Sequence, residues 1–374
     1  MNILQSLNFR WWNASAEYAI SLSKGLSDLG HNVITFSRNG SPASNRAEEL
    51  GLRVVSPAGM GSKNPLSRVP VLRSMLAVFL RERIEISNLH DGESHFLGAV
   101  ASLFSGRKTK VVRTLSETRG SKANAFNLFL YRFMTDAVIV TNGWTVDALA
   151  QKFGINRERV FSVHPGIDTE KFSAGMFRGM LRLKLGIPSD VLLVGLIGRL
   201  SPVKGQYYFV KAASLLSDPR NMRFVVSGRA EEVRHEDLIE TARALGVEHL
   251  FCFLGEFSDV REVIDDLDIA VVPSVGSEEI SRIVLELMSM GKPVIASSVG
   301  SIPELIEDGV TGHLVPPGDA AALSDRISEL TRKKEKRTFL GKAAREEAVR
   351  KFDSRNVARR VERIFEDCLQ RKRR

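Results

Sequence analysis

Short apolar runs alternate with stretches of helical periodicity twice along these 374 residues. A strand apolar on both faces is satisfied only inside a sheet covered above and below, and strands separated by helices pair in parallel. In the first half the sequence predicts strands at 2–7, 31–37, 53–56, 84–89, 110–114, 137–141 and 160–163. Helices are expected at 16–29, 71–83, 96–104, 124–134 and 145–152. Ala16, Ala19, Ile20, Leu22, Leu26 and Leu29 share one helical face, and Gly30 is placed to cap it. Residues 168–190 are irregular and read as an interdomain connection. The alternation then resumes, with strands at 191–197, 223–227, 250–254, 269–273, 293–297 and 312–315. Helices at 205–216, 232–245, 260–267, 282–290, 303–307 and 320–333 accompany them, and a last helix covers 354–369. No helix is assigned to 38–52 or to 334–353.

The expectation is α/β: two doubly wound Rossmann-like domains facing across a cleft, with a ligand at the carboxyl ends of the strands. The domains are drawn at 1–168 and 169–354, and the helix in 355–374 is expected to pack back toward the first domain. Two separated cysteines, Cys252 and Cys368, argue against a disulfide framework, and no Cys/His cluster has metal spacing. The N-terminus reads as a strand rather than a signal peptide, and the apolar run at 71–80 is short and interrupted by Arg. A cytoplasmic protein is expected.

The net charge of +9 is uneven, with about 20 Lys/Arg against about 12 Asp/Glu in residues 1–167. Such a surface suits anionic partners, or simply solubility. Stretches 63–83 and 107–132 mix Lys/Arg with Leu, Val, Met and Phe, as a peripheral anionic-membrane contact with a lipid-linked acceptor would. An ordinary amphipathic core helix reads the same way. No aromatic-basic nucleic-acid module is present, so nucleic acid is not an expected partner.

Glu278 and Glu286 carry the most chemical information. They bracket the start of a helix between two buried strands, where free backbone N–H groups favour anions and the carboxylates accept from hydroxyls. A sugar nucleotide needs both. In Leu196-Ile-Gly-Arg-Leu-Ser-Pro-Val-Lys-Gly205, Arg199 and Lys204 can aim cations at a strand's carboxyl edge, which suits a diphosphate. A basic loop at a helix start is the plainer reading. Arg229 follows another strand and Gly, a weaker signal, and Leu254-Gly-Glu-Phe257 is placed to offer backbone groups to a base.

These segments bring the chain to a known family. Gly198-Arg-Leu-Ser-Pro-Val-Lys-Gly205, Val271-Val-Pro-Ser274, the Glu278/Glu286 pair, Gly291-Lys-Pro-Val-Ile-Ala296, Gly300-Ser-Ile-Pro-Glu304 and Gly309-Val-Thr-Gly-His-Leu-Val-Pro-Pro-Gly-Asp319 occur in order. Together they resemble the group 1, family 4 glycosyltransferases, retaining enzymes of the GT-B fold. The resemblance extends more weakly into the first half, at Ala16-Glu17, Leu29-Gly-His31 and Pro165-Gly-Ile-Asp168. It implies that Arg199 and Lys204 hold the donor diphosphate, Glu286 the ribose and Glu278 the donor sugar. It also implies that backbone N–H groups of Ile280, Ser281 and Arg282 face sugar or phosphate. No metal or other cofactor is implied, because the cations and the helix neutralise the leaving group.

Three departures from the family pattern stand out. Glu279-Ile-Ser281 replaces a small, Gly-containing pattern; Trp11-Trp-Asn-Ala-Ser-Ala-Glu17 replaces a Gly-rich loop; and Ser116 stands where relatives carry His. His90 and His95 are substitutes that could orient a hydroxyl, or capping and loop histidines. Arg113 and Arg119 are candidates for an anionic acceptor, or a solvated face. Trp11 and Trp12 suit an acceptor cleft, lipid or plain packing.

The leading reading is a retaining glycosyltransferase. It moves a sugar from a nucleotide donor to a glycan or glycolipid hydroxyl, in lipopolysaccharide or surface polysaccharide synthesis. A non-catalytic GT-B partner protein and a sugar-nucleotide epimerase are the alternatives.

Overall fold

Thirteen parallel strands, each within a residue or two of its predicted bounds, form two separate sheets among the described residues. The computed structural model describes residues 1–106, 108–116, 122–276 and 278–371. One unit comprises Met1–Gly166 with Ser354–Arg374, the other Ile167–Asp353.

In the first unit the strands are β1 (Asn2–Leu7), β2 (Asn32–Ser37), β3 (Arg53–Val55), β4 (Ile86–Leu89), β5 (Lys110–Leu115), β6 (Ala137–Val140) and β7 (Val160–Ser162). Their order is β3-β2-β1-β4-β5-β6-β7. The second unit holds β8 (Leu192–Ile197), β9 (Met222–Ser227), β10 (Phe251–Leu254), β11 (Ile269–Val272), β12 (Val294–Ser297) and β13 (His313–Val315), in the order β10-β9-β8-β11-β12-β13. Both orders reverse direction once, beside the first strand of the unit. At such a switch point the neighbouring loops leave to opposite faces and open a crevice at the strands' carboxyl ends. In the second unit that crevice lies between β8 and β11.

The closing helix, Ser354–Gln370, belongs to the first unit. Its Val357, Ala358, Val361 and Phe365 are buried in one cluster with Ile3, Tyr18 and Leu22. Gly25 permits the close approach to helix Ala14–Asp28, since a Cβ there would stand 2.8 Å from the Ala358 Cβ. Val361→Ala therefore lowers the stability of this unit by about 2 kcal/mol. A urea titration reads this as a lower midpoint with an unchanged slope.

A six-residue helix, Met180–Leu185, falls within the stretch read as irregular, and two longer ones lie where none was assigned, Pro42–Glu49 and Lys334–Glu347. Each of the longer two buries little apolar area: Ala43, Ser44 and Ala47 in the first, Leu340, Gly341 and Ala344 in the second. A periodicity carried by alanine, glycine and one leucine inside a charged stretch is nearly invisible to a hydrophobic pattern. The first did have a signal, Ser41 as N-cap followed by Pro42. Among the described residues, no helix is long and apolar enough to cross a membrane.

Candidate functional site

The two loops flanking the switch point of the second sheet are locked together by backbone. After β8, Gly205 adopts φ +75°, and a Cβ there would lie 2.0 Å from the Pro273 carbonyl oxygen at the end of β11. Val275 N–H donates to Val203 O at 2.8 Å. Behind the β11 loop, Gly300 has φ +56°, and its missing Cβ would meet the Glu278 carbonyl oxygen at 2.3 Å. That carbonyl accepts from Ser301 N–H and Ser301 Oγ at 2.8 and 3.0 Å. Glycine is needed at both positions, for its positive φ and for the contact.

This scaffold brings Lys204 and Glu278 together across 74 residues of sequence: Nζ donates to Oε1 at 2.5 Å. Ser274 Oγ, from the same β11 loop, donates to that oxygen at 2.6 Å. The Glu278 side chain is only 1% exposed and that of Lys204 21%. A carboxylate so deeply buried persists because a cation and a hydroxyl both serve it. Ser274 lines this candidate site, and the sequence assigned it no role, although it closes one of the motifs.

Arg199 and Arg229 stand at the ends of β8 and β9 and share one acid. Glu231 Oε2 accepts from Arg199 Nη1 at 3.0 Å and Oε1 from Arg229 Nη2 at 2.5 Å. The two guanidinium groups hold the Glu231 carboxyl below its ordinary range, Arg229 first. All three side chains remain accessible to solvent. An anion at this edge would meet the same two arginines. Nearby, Ser201 Oγ and Gln206 Oε1 are buried without a hydrogen-bond partner, a feature no sequence pattern signalled.

Helix Arg282–Ser289 starts beside Glu278. Ser281 precedes it at φ −92°, ψ 72°, so serine in place of the family's small residue causes no backbone strain. Its hydroxyl is buried and has no partner. Glu286, one turn in, is mostly buried and accepts from Arg282 Nε at 2.7 Å. Arg282 was expected to contribute its backbone N–H, and here its side chain also orients the second acid. Ile280 is half-buried in the connecting loop.

The first unit corrects several acceptor-side expectations. His95 is buried inside helix Gly92–Phe104, edge-on to Tyr131 with centroids 4.8 Å apart. Thr135 Oγ1 donates to Leu130 O, so His95 Nε2 is the donor in its 2.8 Å bond to that hydroxyl. Arg113 is likewise buried on β5, where Nη1 donates to Leu89 O and Thr114 O at 2.7 and 2.9 Å. Neither is presented to a ligand: the register of strand and helix turned both inward. Arg119 lies outside the described residues.

His90 follows β4 at this unit's switch point, buried, with Nε2 donating to Gln5 Oε1 at 2.7 Å and Nδ1 unpartnered. Ser116, after β5, keeps a buried, unpartnered hydroxyl, and at the end of β6 both polar side-chain atoms of Asn142 are in the same condition. Asn142 carried no sequence signal. Asn13 accepts from Ala16 N–H at 2.8 Å and caps the first helix without glycine, leaving Trp11 and Trp12 exposed rather than packed.

Burial pushes the His90 imidazole down to about 3 and His95 well below its usual value, with Arg113 adding to both. Both are therefore neutral in the folded protein, while the unfolded chain takes up their protons near pH 6.5. Stability is fully present above pH 6.5 and falls as the pH drops from there toward 3, by about 1.4 kcal/mol per unit from His90, with His95 acting in the same direction. Urea midpoints between pH 6.5 and 4.5 should decline less steeply in His90→Asn than in the wild type. Equal slopes would contradict the burial argument.

Two doubly wound units of this order define the GT-B class, and comparison with known proteins agrees. Residues 192–333 match the model described as glycosyl transferases group 1, and residues 15–171 that of glycosyltransferase family 4. The chain belongs to the group 1, family 4 glycosyltransferases. A D-inositol 3-phosphate glycosyltransferase of Saccharomonospora viridis is 30% identical over 245 residues, 63% of this chain and 56% of that protein. The match thus spans little more than half the relative's length. A glycosyltransferase from Rickettsia africae superposes with a TM-score of 0.87 at 20% identity, over 99% of each chain. The Anabaena protein HepE, crystallised with UDP, superposes at 0.83 with 22% identity, over 98% of this chain and 100% of that one.

Proposed function

We propose that the protein transfers a sugar, with retention of configuration, from a nucleoside diphosphate donor to a hydroxyl of a glycan or glycolipid. The pathway would be the assembly of a bacterial lipopolysaccharide or surface polysaccharide. The observation that carries this reading is the buried Glu278–Lys204 pair at the switch point of the second sheet, with Arg199 on the same loop as Lys204. As the bond from the anomeric carbon to the diphosphate breaks, negative charge grows on the leaving oxygens. Cations already in place stabilise that charge more in the transition state than in the bound donor. Lys204 and Arg199 take this role, and Arg229 adds to it once the arginines exchange Glu231 for phosphate. Glu278, held by Ser274, accepts from a donor-sugar hydroxyl. Glu286, oriented by Arg282, accepts from the ribose, and the N–H groups of Ile280, Ser281 and Arg282 face the donor. This division of labour asks for no metal.

UDP in the Anabaena relative supports a uridine donor as the first trial, and the inositol phosphate named for the Saccharomonospora relative supports including a phosphorylated polyol among acceptors. The test measures nucleoside diphosphate release from a panel of UDP- and GDP-sugars, with and without acceptors. NMR of the product gives its anomeric configuration. Acceptor-dependent release with a retained anomer is expected. Conversion of the donor alone to an epimer, or no donor binding by calorimetry, would exclude the reading.

A further inference from the structure

Arg199 and Arg229 share Glu231 through a geometry that the backbone sets. Gly228, just past β9, lies so close to the β8 loop that a Cβ there would stand 1.9 Å from the Gly198 carbonyl oxygen. Leu200 N–H donates to Arg229 O at 2.8 Å. The N–H groups of Glu231, Glu232 and Val233 converge on Leu200 O at 3.3, 3.2 and 3.2 Å. Leu200 and Val233 are both buried in the core of this unit. The turn carrying Glu231 is thus tied to the strand ends that carry the arginines, and its carboxylate offers one oxygen to each.

The acid that serves Lys204 is held differently. Glu278 is almost wholly buried, so parting it from its cation would leave a charge unserved inside the protein. The Glu231 side chain is 26% exposed, and those of Arg199 and Arg229 are 49% and 65% exposed. A carboxylate released there passes into water, so exchanging one anion for another at the arginines costs little. A diphosphate offers the same two guanidinium groups more acceptor oxygens and more charge. The hydrogen bond from Glu231 is also the main cause that raises the Arg229 proton affinity, with a smaller contribution from Glu256. One acid therefore dominates this edge of the crevice.

We infer, resting on the donor site proposed above, that Glu231 is a resident stand-in for the donor's diphosphate and competes with nucleoside diphosphates for Arg199 and Arg229. Donor and released nucleoside diphosphate both bind less tightly than the arginines alone would hold them. A departing product leaves behind cations that an acid fixed by the backbone recaptures, which favours release. Glu231 acts through the two arginines and touches no reacting atom, so it is a positioning residue.

The test is calorimetry of the full chain with inorganic pyrophosphate, UDP and GDP. Glu231→Gln and Glu231→Ala should each bind pyrophosphate about three- to tenfold more tightly than the wild type, because two exposed ion pairs no longer compete. Any nucleoside diphosphate that binds should gain by the same factor, and the gain should shrink at high salt. An acid that merely orders the arginines gives the opposite sign, weaker binding once it is removed. In an Arg229→Gln background the gain from removing Glu231 should be smaller, since one of the two pairs is already gone. Equal or weaker binding by either variant, or an undiminished gain without Arg229, overturns the inference and leaves the donor site standing. No binding of pyrophosphate, UDP or GDP by the wild type or the variants removes the donor site, and the inference with it.

Discussion

Replacing Glu278 with glutamine lowers kcat/KM for transfer by on the order of 10³-fold while the protein stays folded. The amide keeps the shape of the side chain, and its carbonyl oxygen still accepts from Ser274 Oγ and Lys204 Nζ, the two bonds that hold the carboxylate. Lys204 retains enough solvent contact to hydrate its charge. On the proposed reading, what disappears is a buried negative charge facing the donor sugar and the counter-charge that fixes the ammonium. Both matter most when positive charge develops on the sugar and negative charge on the diphosphate. Initial rates with saturating acceptor and a urea titration check the two halves of this expectation. Turnover within a few-fold of wild type would remove Glu278 from the mechanism.

Lys204→Ala behaves differently, because the pair is asymmetric in burial. Deleting the cation strands a carboxylate that is 1% exposed, and breaking a buried pair in this way costs about 3–5 kcal/mol. Transfer should fall by on the order of 10²-fold or more through loss of the diphosphate contact, and the urea midpoint should fall with it. In the double variant Lys204→Ala/Glu278→Gln no unpaired charge remains, so stability returns toward wild type while transfer does not. The cycle thus separates the structural role of the pair from its chemical one. Additive stability losses would mean that the 2.5 Å contact carries no coupling.

Much of the second unit's candidate site was legible in the sequence. Arg199, Lys204, Glu278 and Glu286 lie at strand ends and a helix start, positions that apolar runs delimit without tertiary information. Their partners were not legible. Glu231 follows Arg229 by two residues and reads as an ordinary loop acid, yet it joins Arg199 to Arg229. Arg282 was named for its backbone and contributes its guanidinium. On the acceptor side, His95 and Arg113 looked available because polar residues near strand ends often face ligands. Helix rotation and strand register turned them inward, and a shift of one residue in a strand reverses that outcome.

By itself the sequence determined two doubly wound halves, their strands, and which acids and cations stand at the strand ends. It could do so because burial on both faces of a sheet imprints directly on composition. Tertiary structure alone decided that Lys204 serves Glu278, that Ser281 keeps an unpartnered hydroxyl, and that the phenylalanines of helix Ala125–Phe133 face outward. Those outcomes depend on which residues far apart in the chain arrive at the same strand edge, and on how each helix is rotated against its sheet. Periodicity gives the spacing of a face; only packing against a neighbour gives its direction.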